Sequence, residues 1–549
     1  MLTRSFLTPE ENSKVLAYTP MFHARLFDET PKYRETHFQA TRPSTTSPSS
    51  STKEEAEPFL DGNPAIDRPL FVQFCANDPE HLLGAARQAA PYCDAVDLNL
   101  GCPQGIARKG HYGAFLQEDQ DLVYRLIHAL HSKLGPVPVT TKIRVLETRE
   151  ATLAYARNVL AAGASILAVH GRRREQKGHL TGTADWAHVR YLRDHLPPDT
   201  VIFANGNILQ RADLDRCLAA TGADAVMSAE GNLSNPALFA EPPPPGREGR
   251  EYWRGRHHPR RDGWRVDAIF RRYLDILHRY ALQRDPPVRR PLFVVGDDEA
   301  WLRQRPDGDG EGDEEGPARK KRKKDGGGGG GTSGGAAEKT TSPNLLAVRP
   351  HLFHLLRHLV TRHTDIRDAL ARCPAGDIAA VERVLDMVER RVAEALIEYE
   401  RTGGANVEDP AEGEGDGEQD ASVDAGGLEI DTESSAAAVR ACWRPWWIAQ
   451  PIIRPLPKEA LAKGSIQLSK KQLKKQLQEQ QQQEGAVAAV ATTAAAADLN
   501  GSTRKDDGAD VEASEQGLAK HDGKDGIKEP LVIDAEKNPV VPTDELVAG

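Results

Sequence analysis

Long apolar runs are absent from this chain: no 18 consecutive apolar residues occur anywhere in it, so no segment reads as a membrane-spanning helix. The N-terminal MLTRSFLTPEEN also lacks the apolar stretch of a secretory signal, and an intracellular protein is expected. Cysteine is sparse and scattered. The six (Cys75, Cys93, Cys102, Cys217, Cys373, Cys442) include no C-x-x-C pair, so neither a zinc ribbon nor a disulfide framework is indicated. Hydrophobic residues make up 39% and aromatics 6% of 549 residues, too dilute for a chain folded throughout. Positive charge is outweighed, with 71 Lys and Arg against 81 Asp and Glu, a net of -10. That balance speaks against coating nucleic acid along the whole chain, although an average can hide a basic domain.

What is present is concentrated. Residues 40–68 are rich in Ser, Thr and Pro and read as an insertion, and Pro242 to Pro245 form a proline block. Residues 296–343 hold an acidic run, the cluster ARKKRKK and six consecutive glycines, where no core can form. The organisation expected is a catalytic unit over 1–240, a helical unit built from 247–295 and 344–401, and a linker over 296–343. After these come an acidic stretch over 402–440, a docking segment over 441–457 and a tail over 458–549.

Within the first unit, short β-branched runs alternate with helical patterns. LFVQF (70–74), AVDLNL (95–100), VTTKIRV (139–145), ILAVHG (166–171), VIFANG (201–206) and AVMSAEG (225–231) are strand candidates, and VLAYTPMF (15–22) supplies an earlier one. Strand and helix alternating at this spacing means βαβ units around a parallel sheet. No G-x-G-x-x-G follows the first strand, so the repetition fits a TIM (β/α)8 barrel better than a Rossmann sheet.

Active sites of such barrels gather at the C-terminal ends of the strands. Gln73, Asn99 with Cys102, Lys142 with Arg144, His170, Asn205 to Asn207, and Glu230 with Gly231 all lie there. Singly, each has a bland reading: a buried small thiol, a snorkelling cation, a structural imidazole. Together they are hard to dismiss, because each buried polar group would otherwise need its own partner. Amides that pair with the edge of a flat heterocycle, beside a Lys charge, describe a flavin site. The Gly-containing turns ANGN and SAEGN offer a phosphate position, so FMN fits better than a dinucleotide.

The strings FVQFCAND, DLNLGCPQGIARKGHYGAFL, KIRV, VHGRRREQKG, FANGNI and MSAEGNLSNPALF resemble the tRNA-dihydrouridine synthase family, in its eukaryotic branch acting on positions 16 and 17 of the D-loop. The resemblance runs over about residues 14–240. It implies reduction of the uridine C5=C6 bond in tRNA, with FMN as cofactor and NADPH as electron source. It also implies roles. Cys102 looks like the proton donor, and Gln73, Lys142, His170, Asn205, Gly206, Asn207, Glu230 and Gly231 look like the FMN contacts. Asn99 and Arg144 are expected to meet the uracil. A thiol is mostly protonated at neutral pH, which suits an acid delivering a proton to C5.

The family's initial strand, with its Ala-Pro-Met motif, is not found; the chain is expected to begin within the first helix, leaving the barrel one strand short with two unpaired edges. Residues 247–290 carry thirteen Arg, no Lys and six acidic residues, a local +7 that reads as an RNA-facing surface. Helical stripes there, in HLFHLLRHLVTRH and in IAAVERVLDMVERRVAEAL predict a small bundle, the family's tRNA-binding domain. His351, His354 and His358 share a face without carboxylate or Cys at matching spacing, so no metal is expected. WRPWWIAQPIIRPLP (443–457) reads as a segment docking on the folded body or stacking RNA bases. ARKKRKK reads equally as a nuclear localisation signal or a solvated run, so a cytoplasmic or nuclear monomer is expected. Two other functions stay open: a barrel oxidoreductase on a free pyrimidine, and an RNA-binding protein that has lost turnover.

Overall fold

A computed structural model describes residues 1–42, 57–257, 261–303, 342–407 and 435–462. The bulk of the Ser/Pro-rich insertion, the basic cluster with its glycine run, most of the acidic stretch and most of the tail lie outside the described residues. The unit discussed below is Met1–Leu456; of Pro457–Asp544, only the helix Pro457–Ala462 is described.

Eight strands form one parallel sheet: β1 (Ala17–Tyr18), β2 (Phe22–His23), β3 (Leu70–Cys75), β4 (Ala95–Leu100), β5 (Val139–Arg144), β6 (Ile166–His170), β7 (Val201–Asn205) and β8 (Ala225–Met227). The spatial order is β1, β3, β4, β5, β6, β7, β8, with β2 continuing the line of β1 along β3. Between β1 and β2 the ladder is interrupted at Thr19, whose hydroxyl accepts from Gln73 N–H at 3.0 Å and so keeps that amide bonded. The sheet curls in the manner of a TIM barrel. Its edges are β1 and β8, which have no second neighbour among the described residues.

Helices follow the strands because capping residues stand where the chain leaves the sheet. Asp78, Asp119, Thr148 and Asp185 each accept backbone N–H bonds at the starts of helices Pro79–Ala89, Gln120–Lys133, Arg149–Ala161 and Trp186–His195. β3, β4 and β5 are buried at every position, as parallel strands covered on both faces must be. The faces differ in chemistry. Val72, Phe74, Val96, Leu98, Ile143, Leu167, Val169 and Ile202 point under the helices and form the main core. The opposite face begins apolar, with Phe71, Ala95, Ala168 and Phe203 packed together. Two and four residues further along the strands it turns polar.

The second core belongs to helices Val266–Ile276, Val348–Leu355 and Ile378–Thr402 and to the segment around Trp447. Trp447 is almost fully buried, meeting Trp253, Tyr399 and Trp446 edge-on. Its carbonyl accepts from Val266 N–H at 3.0 Å, and Ala449 N–H donates to Trp264 O at 2.9 Å. Gly263 permits this approach, since a Cβ there would stand 2.6 Å from Ile448 Cγ2.

Candidate active site

The polar inner face assembles by register. Gln73 lies opposite Asp97, Asn99 opposite Lys142, Arg144 opposite His170 and His170 opposite Asn205. All of these side chains are buried, as is Thr140. Every strand-end residue picked from the sequence on β3 to β7 therefore belongs to one surface.

On the β3 and β4 side the polar groups form a continuous chain. Thr140 Oγ1 and Gln73 Nε2 donate to the two oxygens of Asp97, at 2.7 and 2.8 Å. Asn99 Nδ2 donates to Gln73 Oε1 at 2.8 Å, and Asn99 Oδ1 accepts from Gly101 N–H at 3.1 Å and Cys102 N–H at 2.8 Å. The direction of every bond follows from the ionisable end, because a carboxylate only accepts. Burial pushes Asp97 up to about 6, opposed by the Thr140 and Gln73 hydrogen bonds and by Lys142. Asp97 and Thr140 were not singled out in the sequence. Their signal was present: each sits two residues before a chosen residue, Asn99 and Lys142, and so faces the same way. The arrangement also commits Asn99. Its carbonyl positions the Cys102 backbone, leaving one N–H for a substrate.

Cys102 itself is half-buried. Burial raises its thiol above the ordinary value, opposed by a backbone hydrogen bond and the cations Arg144, Lys142 and Lys177. The loop behind it is tight: Ala114 N–H donates to Cys102 O at 3.0 Å, and Gly113, at φ 63°, would place a Cβ 3.0 Å from that of Cys102.

The cationic side is β5 and β6. Lys142 is lowered to about 8, first by burial and then by Arg144. Arg144 donates from Nε to Gly101 O at 2.7 Å and from Nη1 to Arg173 O at 3.3 Å, tying the β4 loop to the β6 loop. His170 Nδ1 accepts from Arg172 N–H at 3.1 Å, and burial among Arg144, Lys142 and Arg172 holds it neutral, far below the usual imidazole range. With Nδ1 accepting, the proton belongs on Nε2.

At β7 and β8, Asn205 Nδ2 donates to Met227 O at 2.8 Å while its buried Oδ1 has no partner among the described residues. Gly206 follows at φ 110°, where a Cβ would meet Ala184 Cβ at 2.6 Å. Asn207 adopts φ 62° and clamps the neighbouring loop, accepting from Arg172 Nη2 at 2.9 Å and Ala184 N–H at 3.1 Å and donating to Ala184 O at 3.0 Å. Arg172, another residue not singled out in the sequence, is half-buried beside these loops, and desolvation and Arg144 lower it to about 10. Glu230 and Gly231 open the short helix Glu230–Ser234 after β8. Glu230 is bound by Arg454 Nη2 at 2.6 Å.

The arginines of 247–290 are largely spent on structure. Arg271 and Arg290 bind Glu389, Arg290 also binds Asp386, and Arg289 binds Glu382 and Asp275. Arg254 pairs with Glu248 and Asp262, Arg272 with Glu251, and Arg265 with buried Asp267. Beyond the six acidic residues already counted in the +7, Glu382, Asp386, Glu389 and Glu400 of the helix Ile378–Thr402 and Asp297 also pair with arginines of this stretch. Among the described residues no cluster of three metal-ligating side chains occurs, and no helix is long and apolar enough to cross a membrane.

Comparison with known proteins gives a consistent answer. The dihydrouridine synthase (Dus) family profile matches residues 2–251. A Schizosaccharomyces pombe protein named as a tRNA-dihydrouridine(16/17) synthase, NAD(P)(+), is 38% identical over 442 residues, 80% of this chain and 82% of that protein. A Saccharomyces cerevisiae protein of the same name is 57% identical over 224 residues, 41% of this chain and 48% of that one. A mouse protein named as tRNA-dihydrouridine(16/17) synthase-like is 49% identical over 224 residues, 41% of this chain and 42% of that one.

Proposed function

Because this chain belongs to the dihydrouridine synthase family, we propose that it reduces the C5=C6 bond of uridine to dihydrouridine at positions 16 and 17 of the tRNA D-loop, with FMN as resident flavin and NADPH as electron donor. The observation that carries the reading is the row of buried polar side chains from Gln73 to Asn205, with the half-buried Cys102 thiol, whose burial favours the protonated form, held beside it through Asn99.

The residues suit a flavin. Asn205 Oδ1, buried without a partner among the described residues, can accept an N–H from a ligand, and Lys142 and the His170 Nε2–H supply a cation and a donor for an electron-rich ring. Gly206 and Gly231 let the β7 and β8 turns pack closely against Ala184 and Ile208, and the Arg172 guanidinium beside the Gly206 turn offers the positive charge a phosphate needs. When bound, the reduced flavin supplies the hydride that adds to C6 of the uracil. Cys102 then gives its Sγ proton to C5, forming the C5–H bond, and the thiolate regains a proton from water. Arg144 and Lys142 stabilise that thiolate as it forms. The remaining Asn99 N–H is placed to meet a uracil carbonyl. Extracting the uridine from the folded tRNA costs a few kcal/mol, which RNA contacts outside the pocket must supply.

The test is direct. The purified full chain should carry flavin absorbance and, with NADPH and unmodified tRNA, produce dihydrouridine mapped by mass spectrometry to positions 16 and 17. A colourless protein that neither binds added flavin nor modifies tRNA would sink the reading.

A further inference from the structure

Glu230 is an odd neighbour for an anion: a carboxylate at the opening of the β8 loop, beside Gly231 and within electrostatic reach of Arg172. The structure answers it from far along the chain. Arg454 crosses to Glu230 and binds Oε1 through Nη2 at 2.6 Å, with the two side chains 40% and 33% exposed. Arg454 also acts electrostatically on Arg172, so both cations and the carboxylate belong to one group.

The segment bearing Arg454 is anchored on both sides of the approach. Trp447 is fixed in the helical core, and Pro451 O lies 3.2 Å from His358 Nε2. From the helix Val348–Leu355, His354 senses the charges of Glu230 and Arg454, and its buried Nδ1 has no partner among the described residues. On the barrel side, Arg172 is held by Gly182 O at 3.1 Å and Asn207 Oδ1 at 2.9 Å. Its Nη1 lies 3.6 Å from where a Cβ of Gly206 would stand. Between the β7 and β8 loops, Arg172 and Glu230 alone balance, and Arg454 adds a positive charge to that of Arg144 reaching across from β5.

Resting on the flavin reading above, we propose that Arg454 is a positioning residue for cofactor retention: it neutralises Glu230 and makes the β7 and β8 rim accept the phosphate of FMN. Glu230 is then the anchor of the C-terminal segment, and its charge must be masked for the phosphate to enter.

The experiment titrates the deflavinated full chain with FMN and, separately, with riboflavin, which has the same ring and no phosphate. Arg454→Gln should weaken FMN binding roughly three- to tenfold, the scale of one half-exposed charge, and leave riboflavin binding unchanged. Arg454→Lys should retain most of the affinity, and Glu230→Gln added to Arg454→Gln should restore it by removing the unmasked carboxylate. Equal losses for both ligands would reduce Arg454 to a structural brace and overturn the proposal. So would unchanged FMN binding, including the case in which only tRNA affinity falls. If the unsubstituted chain takes up neither ligand, the flavin reading itself fails, which is a separate result from an Arg454 variant that behaves like the parent.

Discussion

Asn99 holds Cys102 by its backbone: the side-chain carbonyl accepts the Cys102 N–H at 2.8 Å, and the same amide donates to Gln73 at 2.8 Å. The thiol's place is therefore set by a hydrogen-bonded chain ending at Asp97, three strand positions below the rim in a region closed to water.

Replacing the thiol should separate binding from chemistry. Cys102→Ala is expected to retain bound flavin and lower the rate of dihydrouridine formation by about 10²- to 10⁴-fold, the range for a general acid. Single-turnover reduction of tRNA followed by mass spectrometry measures the rate, and the visible spectrum reports the flavin. Full activity would remove Cys102 from the acid's role.

Asp97→Asn keeps the shape and breaks the polarity. An amide cannot accept at both ends: either its N–H donates to Thr140 Oγ1, which must turn from donor to acceptor, or it faces Gln73 Nε2, and losing the charged acceptor costs about 1 to 3 kcal/mol. The urea midpoint should fall accordingly. Turnover should fall as well, since Gln73 and Asn99 reorient and Cys102 loses its support. A variant with unchanged stability and rate would show that the chain of bonds does not position the thiol.

The pH dependence should show Lys142 before Cys102. The ammonium titrates near 8 and the thiol above its ordinary value, so turnover should decline as pH rises through about 8, from loss of the Lys142 charge. Stability runs the other way. A lysine lowered by folding binds more protons when unfolded, so its contribution improves as pH climbs from about 8 towards its unfolded value. Lys142→Met should therefore melt higher than the parent at pH 7, with the gap closing towards pH 10. Melting curves across this range check the sign.

Trp447→Ala should cost about 3 to 5 kcal/mol, as truncation of a buried aromatic does. Limited proteolysis should then cut near residues 443–456 while the barrel stays intact. Resistance equal to the parent's would mean the helical core does not depend on this segment.

The barrel and much of its rim were readable from the sequence because both obey local periods. Fully buried strands announce themselves as continuous apolar runs, so Gln73, Asn99, Lys142, His170 and Asn205 stood out as polar exceptions at strand ends. Asp97 did not, because within AVDLNL it looked like an ordinary interruption, and Arg172 was lost among three consecutive arginines. Partnerships across long separations were beyond any local pattern. Arg454 meets Glu230 across 224 positions, and Arg271 meets Glu389 across 118. For that reason the sequence did not show that Arg250, Arg254, Arg256, Arg265, Arg271, Arg272, Arg289 and Arg290 of the arginine-rich stretch have carboxylate partners.

The placing of Trp447 has a further consequence, for biosynthesis. Its carbonyl bonds to Val266 N–H, 181 residues earlier in the chain. At about 5 to 20 residues per second, the ribosome takes roughly 10 to 40 s to make that interval. The barrel's strands all precede Met227 and can pair as they emerge. The helical unit must wait longer: the apolar face of Val266–Ile276 gains its first helical partners only with Val348–Leu355 and Ile378–Thr402 and its last with the tryptophan, and that interval is when a chaperone has most to protect.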